Sequence, residues 1–119
     1  MPEVRSGALT CARQILAILM LWAGATAVPV TAADQDIEAL ICQYDWDCAK
    51  ALRVAFCEST LNPHAENIGQ IGLFQIAYRW HARRVESADA LYDPETNIRV
   101  AHQIWREQGW APWPHCGLR

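Results

Sequence analysis

Apolar positions in the first part of the chain form one nearly continuous run. The run spans residues 15–30, follows two arginines and precedes several small residues. A basic segment, an apolar run and small residues together make up a secretory signal peptide. We therefore predict a leader over residues 1–33, cleaved after Ala33 or at the other suitable sites, Ala27 and Ala32. An uncleaved membrane anchor is the alternative, because the run approaches the length that spans a bilayer.

Beyond the leader, apolar residues recur with a helical period. Residues 37–44 place apolar side chains at i, i+3, i+4 and i+7, which predicts a first helix with Asp34 or Asp36 as its N-cap. A second, largely apolar helix follows. It is expected to end near Asn62, because Pro63 disfavours helix in the residue before it and cannot continue the hydrogen bonding.

The second half of the domain begins with a break in this helical pattern. Residues 63–72 are polar and contain glycine, so they predict a turn or small hairpin. Residues 78–84 and 87–91 fit short helical pieces. A long final helix is predicted from Asp93, which is followed by proline, to Gly109, which is placed to end it. The fold class predicted from the pattern is mainly α, with a short loop or hairpin.

Length and charge restrict what the protein can be. The chain has 119 residues, 52% of them apolar, with 10 Lys+Arg against 13 Asp+Glu and a formal net charge of -3. This composition is too apolar for a disordered chain, and the length allows one small domain, predicted over residues 34–119. The acidic balance excludes nucleic-acid binding through a basic surface as the main function.

The cysteines predict disulfides rather than a metal site. Removal of the leader takes away Cys11 and leaves an even number of cysteines in a small exported domain. Three pairings are possible, and we favour Cys42 with Cys48 across a short break and Cys57 with Cys116, which would join the middle of the domain to its C-terminal tail. Zinc is not expected, because the chain has no CxxC or HxxxH spacing.

Glu58 is the candidate catalytic acid. It lies near the end of the apolar second helix, between Phe56 and Leu61, just before a polar loop. Partial burial would raise the pKa of its carboxyl group and keep it protonated, and a protonated carboxyl group can donate to a glycosidic oxygen. The alternative from the spacing alone is an ordinary surface residue at a helix end.

Three motifs follow one another along the domain. Residues 58–65 read Glu-Ser-Thr-Leu-Asn-Pro-His-Ala, residues 69–76 read Gly-Gln-Ile-Gly-Leu-Phe-Gln-Ile, and residues 93–98 read Asp-Pro-Glu-Thr-Asn-Ile. They are similar to the E-S-x-x-N-P-x-A, G-A-x-G-L-M-Q and D-P-x-x-N-I segments of lytic transglycosylases. The chain thus resembles this branch of the lysozyme-like superfamily. The position of Cys57 directly before Glu58 is also similar to that of a cysteine in the small resuscitation-promoting-factor-like muralytic domains.

The resemblance implies a lysozyme-like α+β fold, with the loop or hairpin as one wall of a sugar cleft, and a function. The expected reaction is cleavage of the β-1,4 bond between N-acetylmuramic acid and N-acetylglucosamine, with Glu58 as general acid and base and 1,6-anhydro-muramyl products. A hydrolytic muramidase is the alternative and would require a second carboxylate. Its candidates are Glu66, Asp89 and Asp93. Two other classes remain open, a non-catalytic peptidoglycan-binding module and a small secreted effector or inhibitor without a sugar site.

The expected substrate-binding residues lie in the second and third motifs and among the tryptophans. Trp80 and Trp105 are included because tryptophan rings stack on sugars. Phe74 is explained equally well as a core residue, and Asn97 is better explained as a structural residue. Asn67 stands where the family commonly has a serine that hydrogen-bonds the catalytic glutamate. The full set is Asn67, Gly72, Leu73, Phe74, Gln75, Trp80, Asn97 and Trp105.

The expected partner is the glycan strand of peptidoglycan, with no nucleic acid, no metal and no cofactor. We expect a monomer that is secreted, periplasmic or associated with the cell wall, and that touches a membrane only through the leader if it is not cleaved. Arg79, Arg83 and Arg84 fit a solvated helix face. Attraction of the stem-peptide carboxylates of peptidoglycan is the alternative function of these arginines.

Overall fold

Helices dominate the part of the chain that the computed structural model describes, residues 36–119. The predicted leader over residues 1–33 lies outside the described residues. In chain order the elements are α1 (Ile37–Cys42), α2 (Cys48–Ser59), strands β1 (Glu66–Asn67), β2 (Gln70–Ile71) and β3 (Ile76–Ala77), α3 (Tyr78–His81), 3₁₀ helices over Ala82–Arg84 and Asp89–Tyr92, and α4 (Pro94–Gln108). The predicted mainly helical α+β class is confirmed.

Aspartates begin the three main helices. Asp36, Asp47 and Asp93 precede α1, α2 and α4, and each carboxylate accepts a hydrogen bond from the backbone N–H three residues further on, at 2.9 to 3.1 Å. Such bonds satisfy a donor that has no partner within the helix. The predicted caps at Asp36 and Asp93 are confirmed, and Gly109 ends α4 as expected.

Helix α2 ends earlier than the sequence predicts. The expected end near Asn62 is wrong, because the helix stops at Ser59 and the next two residues, Thr60 and Leu61, have φ angles of 54° and 59°. The backbone N–H of Thr60 donates to the carbonyl oxygen of Phe56, which closes the helix with a left-handed cap. Pro63 sets only the latest position at which the helix can end. The left-handed turn at Thr60 and Leu61 ends it earlier.

A three-stranded antiparallel sheet in the order β1-β2-β3 follows α2. The predicted hairpin is its first pair, with Glu66 opposite Ile71; the third strand was not foreseen. Ile68 and Gly69 connect β1 to β2 with φ angles of 51° and 77°. Positive φ at both central residues is the conformation of a type I′ turn, which Asn-Gly adopts readily and a β-branched residue does not.

The core lies between α4, α2 and the loop that joins β2 to β3. The face of α4 that contains Ile98, Ala101 and Ile104 is buried. Val54 and Ala55 of α2 are also fully buried. The opposite face of α2 points outward, so that Phe56 is 60% exposed.

Both favoured cysteine pairings are present. The Cα atoms of Cys42 and Cys48 are 4.9 Å apart, and those of Cys57 and Cys116 are 5.8 Å apart. The second bond joins residues 59 positions apart in sequence. Closing a loop of that length stabilises a domain by about 4 kcal/mol. It also holds the C-terminal tail against α2, in which Cys57 lies one residue before Glu58.

The turn between β1 and β2 generates a prediction about stability. Ile68→Asn should increase the free energy of unfolding by about 1 kcal/mol, because asparagine tolerates positive φ and isoleucine does not. Ile68→Val is the matched control, since valine keeps the β-branch and should gain nothing. Denaturant unfolding measures both, and equal stability of the two variants would contradict the assignment of strain.

Candidate active site

Side chains from three separate elements hold the segment of residues 71–75, which we call the site loop. The first is Ser59 at the end of α2. Its hydroxyl oxygen lies 2.8 Å from the carbonyl oxygen of Leu73 and 3.0 Å from that of Ala55, and it donates to these acceptors. The helix end that carries Glu58 is therefore attached directly to the site loop.

Asn97, near the start of α4, makes the most extensive contact with the site loop. Its side chain is 1% exposed. The Oδ1 atom accepts from the backbone N–H of Phe74 at 2.9 Å, while Nδ2 donates to the carbonyl oxygens of Ile71 and Leu91, each at 2.8 Å. One buried amide thus hydrogen-bonds to three backbone groups.

Gly72 allows this close approach. Its φ angle is 76°, and a Cβ atom at this position would overlap the amide nitrogen of Asn97 and the carbonyl oxygen of Leu91. A glycine is therefore required here both by backbone conformation and by space.

The third attachment comes from the C-terminal tail. Trp113 is 4% exposed, and its indole Nε1 donates to the carbonyl oxygen of Phe74 at 2.8 Å. The disulfide at Cys116 anchors the same tail. The site loop is thus fixed by α2, α4 and the tail together.

Glu58 lies in the last turn of α2, one residue before the serine that binds the site loop. It is half-buried, and burial raises the pKa of its carboxyl group above the ordinary value. Within residues 36–119, the side chain of Glu58 makes no hydrogen bond. Ser59 and Asn97, by contrast, both bond to the site loop. Desolvation without a hydrogen-bond partner for the charged form favours the protonated form of a carboxyl group.

A groove of about 550 Å³ runs along the sheet, between α3, the end of α4 and the tail. Gln75 of the site loop lines it, and its Nε2 atom donates to the carbonyl oxygens of Ala65 and Gly72 at 3.2 and 3.0 Å. Trp80 lines it as well and is 72% exposed, with the guanidinium carbon of Arg79 5.1 Å from its ring centre. The groove therefore offers an amide and an aromatic surface.

The structure brings only two of the predicted substrate-binding side chains to this groove, Gln75 and Trp80. Leu73 and Phe74 are fully buried, and Asn97 is buried in its hydrogen bonds to the loop. The side chains of these three residues therefore lie inside the site loop and not on a cleft surface. This agrees with the interpretation of Phe74 and Asn97 as structural residues. Gly72, in the same loop, is also buried.

Asn67 and Trp105 lie elsewhere. Asn67 is exposed in the hairpin, and within the described residues its side chain makes no hydrogen bond to Glu58. The half-buried Trp105 packs its ring centre 5.5 Å from that of His102 and 5.9 Å from that of Trp46. It belongs to an aromatic cluster at the far side of α4, where His102 Nε2 lies 2.6 Å from Asp45 Oδ1.

Two of the three carboxylates considered as a second acid make hydrogen bonds within the domain. Glu66 Oε1 accepts from the backbone N–H of Gly69 at 2.8 Å and so supports the hairpin turn. Asp93 caps α4 through Thr96. Asp89 is exposed in the second 3₁₀ helix.

Sequence reasoning assigned no role to Ser59, Trp113 or Ile68. Ser59 was visible in the first motif, where a serine follows the candidate acid. Ile68 lines the groove and is 90% exposed; an apolar residue before glycine in a hairpin turn was the signal that could have revealed it.

Two kinds of feature are absent from the described residues. Across residues 36–119, no three His, Cys, Asp or Glu side chains are grouped so that they could hold a metal ion. In the same range, no helix has both the length and the apolar character needed to cross a membrane.

Glu58 is half-buried at the end of α2, one residue before the serine that binds the site loop, and it is not among the residues that line the groove. A family model described as "Lysozyme like domain" matches residues 42–115, well over half of the chain, and the protein belongs to that family. Searches of curated proteins and of solved structures found no match. Family membership supports a muralytic function with peptidoglycan as substrate, and the disulfides are consistent with an extracytoplasmic protein.

The contacts of Asn97 predict a large loss of stability on substitution. Asn97→Ala should lower the free energy of unfolding by about 3 kcal/mol or more, because it leaves buried backbone groups without partners. Arg106→Ala, on the exposed face of the same helix, should change it by less than about 0.5 kcal/mol. Denaturant unfolding compares the two; losses of similar size would show that the amide does not hold the loop.

The raised pKa of Glu58 predicts how stability depends on pH. Below about pH 4 the carboxyl group is protonated in both the folded and unfolded states, so Glu58→Gln and the unchanged protein should be equally stable. As pH rises through the raised folded-state pKa, the unchanged protein must ionise a desolvated group and loses stability relative to the variant.

At pH 7 the variant should therefore be more stable, by less than about 1 kcal/mol because solvent screens the half-exposed charge. Thermal unfolding at a series of pH values measures the difference. Glu95→Gln, at an exposed position in the first turn of α4, should not reproduce it. A Glu58 variant that is less stable at pH 7 would refute the direction of the shift.

Proposed function

We propose that the protein is a peptidoglycan lytic transglycosylase with Glu58 as its one essential carboxyl group. The observation that carries the proposal is the half-buried carboxyl group of Glu58, whose pKa is raised by burial. Near neutral pH such a group retains its proton more readily than an exposed glutamate. It can therefore act first as an acid and, after proton transfer, as a base.

The proposed reaction has two proton transfers. Glu58 donates its proton to the glycosidic oxygen between N-acetylmuramic acid and N-acetylglucosamine, and the bond from that oxygen to C1 breaks. The 2-acetamido group of the substrate stabilises the positive C1. The Glu58 carboxylate then takes the proton of the C6 hydroxyl, whose oxygen bonds to C1 and forms a 1,6-anhydro-muramyl end.

The groove, which Glu58 does not line, is the proposed binding site for the sugars on one side of the cleaved bond. The exposed ring of Trp80 is suited to stacking on a sugar face. The Nε2 atom of Gln75 is occupied by backbone carbonyl oxygens, while its Oε1 atom makes no hydrogen bond within residues 36–119 and can accept one from an N-acetyl N–H. We propose that Gly72, Leu73, Phe74 and Asn97 act through the rigid backbone of the site loop.

The hydrogen bonds of Glu66 and Asp93, two of the three candidates for a second carboxylate, favour transglycosylation over hydrolysis. A hydrolase generally uses a second carboxylate to activate water or to stabilise the sugar cation. Glu66 is already hydrogen-bonded to the turn and Asp93 to the first turn of α4. Under this proposal the leader over residues 1–33 exports the domain, which acts as a monomer in the periplasm, at the cell wall or in the medium.

The test is mass spectrometry of the muropeptides that residues 34–119 release from purified peptidoglycan. We expect 1,6-anhydro ends, and a loss of at least about 100-fold with Glu58→Gln, which removes the transferable proton. Glu66→Gln should retain most of the activity. Activity should fall as pH rises above the raised pKa of Glu58, because the acid form is lost.

The products distinguish the alternatives. Reducing muramyl ends, together with loss of activity in Glu66→Gln, would establish a muramidase instead. If no muropeptides are released but the protein binds to peptidoglycan, the domain is a binding module. Absence of both release and binding would favour the secreted effector or inhibitor.

A further inference from the structure

A second depression lies next to the groove. It has a volume of about 510 Å³ and is formed by the two 3₁₀ helices, the segment between them and α4. Arg84 lines both the groove and this second depression. The two depressions are therefore neighbours that share the Arg84 side chain.

Positive charge is concentrated on this surface. The second depression is lined by Arg83, Arg84 and Arg99, with Glu86 as the one acidic residue in its lining. The groove is lined by Arg79 and Arg84 and by no carboxylate. Such a surface is unusual on a chain whose formal net charge is -3, and it favours an anionic ligand.

Arg84, which lines both depressions, is held in place by hydrogen bonds. Its guanidinium group donates from Nη1 and Nη2 to the carboxylate of Glu107, and its Nε donates to Nδ1 of His81 at 3.2 Å. Burial and the Arg84 charge lower the pKa of His81, so that its ring is neutral and Nδ1 can accept. Because these donors are occupied, we do not take Arg84 as the main residue that binds an anion in the depression.

Arg83 and Arg99 have their donors available. Both are exposed, and within residues 36–119 neither forms a salt bridge. They come from different elements, the first 3₁₀ helix and α4, yet line the same depression. Two exposed guanidinium groups that line one depression from separate elements are suited to bidentate hydrogen bonds with carboxylates.

We propose that the second depression binds carboxylates of the stem peptides carried by the glycan strand, with Arg83 and Arg99 as the binding residues. The inference rests on the proposed function, because a strand lying in the groove presents the peptide of a muramic acid residue beside it. The ligand class is an anionic peptide attached to a saccharide. The protein would then prefer peptide-bearing strands to glycan from which the peptides have been removed.

The experiment compares two charge-matched double variants. Arg83→Gln with Arg99→Gln removes the proposed ligands, while Arg53→Gln with Arg106→Gln removes two exposed arginines that line neither depression. Each protein is given three soluble substrates: glycan strands with intact stem peptides, the same strands with their carboxyl groups converted to amides, and strands freed of peptides by an amidase.

We expect the Arg83 and Arg99 double variant to lose about three- to tenfold in kcat/KM on the intact strands alone. The unchanged protein should show the same loss when the carboxyl groups are amidated, and the control variant should behave as the unchanged protein does. An equal loss on peptide-free strands, or no loss on any substrate, would overturn the proposal.

A binding measurement separates this inference from the proposed reaction. The same substitutions are made in the Glu58→Gln background, and affinity for the three soluble strands is measured by calorimetry. A selective loss of affinity for intact strands supports the stem-peptide site even if the unchanged protein releases no anhydro products. Equal affinity of both double variants for intact strands would refute it even if the transglycosylase reaction is established.

Discussion

The buried amide of Asn97 is the contact on which the arrangement of the site depends. The backbone between β2 and β3 turns inward, where water cannot satisfy its polar groups, and one side chain from α4 bonds to two of its residues. Such groups are costly when left without partners. Because of the same contact, position 72 has no room for a side chain larger than that of glycine. The position of Gln75 in the groove is therefore a consequence of packing at the start of α4.

Three residues of the hairpin, the site loop and the end of α2 depart from what stability alone favours. Glu58 is a carboxyl group in a partly apolar environment, Ile68 is a β-branched residue at positive φ, and Gln75 has a φ angle of 50°. Each departure has an energetic cost that the surrounding structure must offset. The disulfide beside Glu58 and the hydrogen bonds of the site loop supply that rigidity.

Much of the fold could be predicted because its signals are local. The aspartate and proline that open α4, the glycine that ends it and the hairpin all follow from the properties of single residues. The family and the cysteine pairings were also predicted. The left-handed end of α2 was missed because nothing in Thr60 and Leu61 favours positive φ. The placement of Trp105 away from the groove, and of Trp113 under the site loop, depends on contacts between residues far apart in sequence, which periodicity does not encode.

The attachment of the tail to the site loop has a consequence for the order in which the protein matures. A ribosome completes Glu58 and the site loop well before it adds Trp113 and Cys116. The last hydrogen bond to the carbonyl oxygen of Phe74 forms only when the tail has been made, and the Cys57–Cys116 bond requires an oxidising compartment. A nascent or reduced chain thus carries the proposed acid beside a loop that is not yet fully held, and the rigid site is among the last features of the molecule to form.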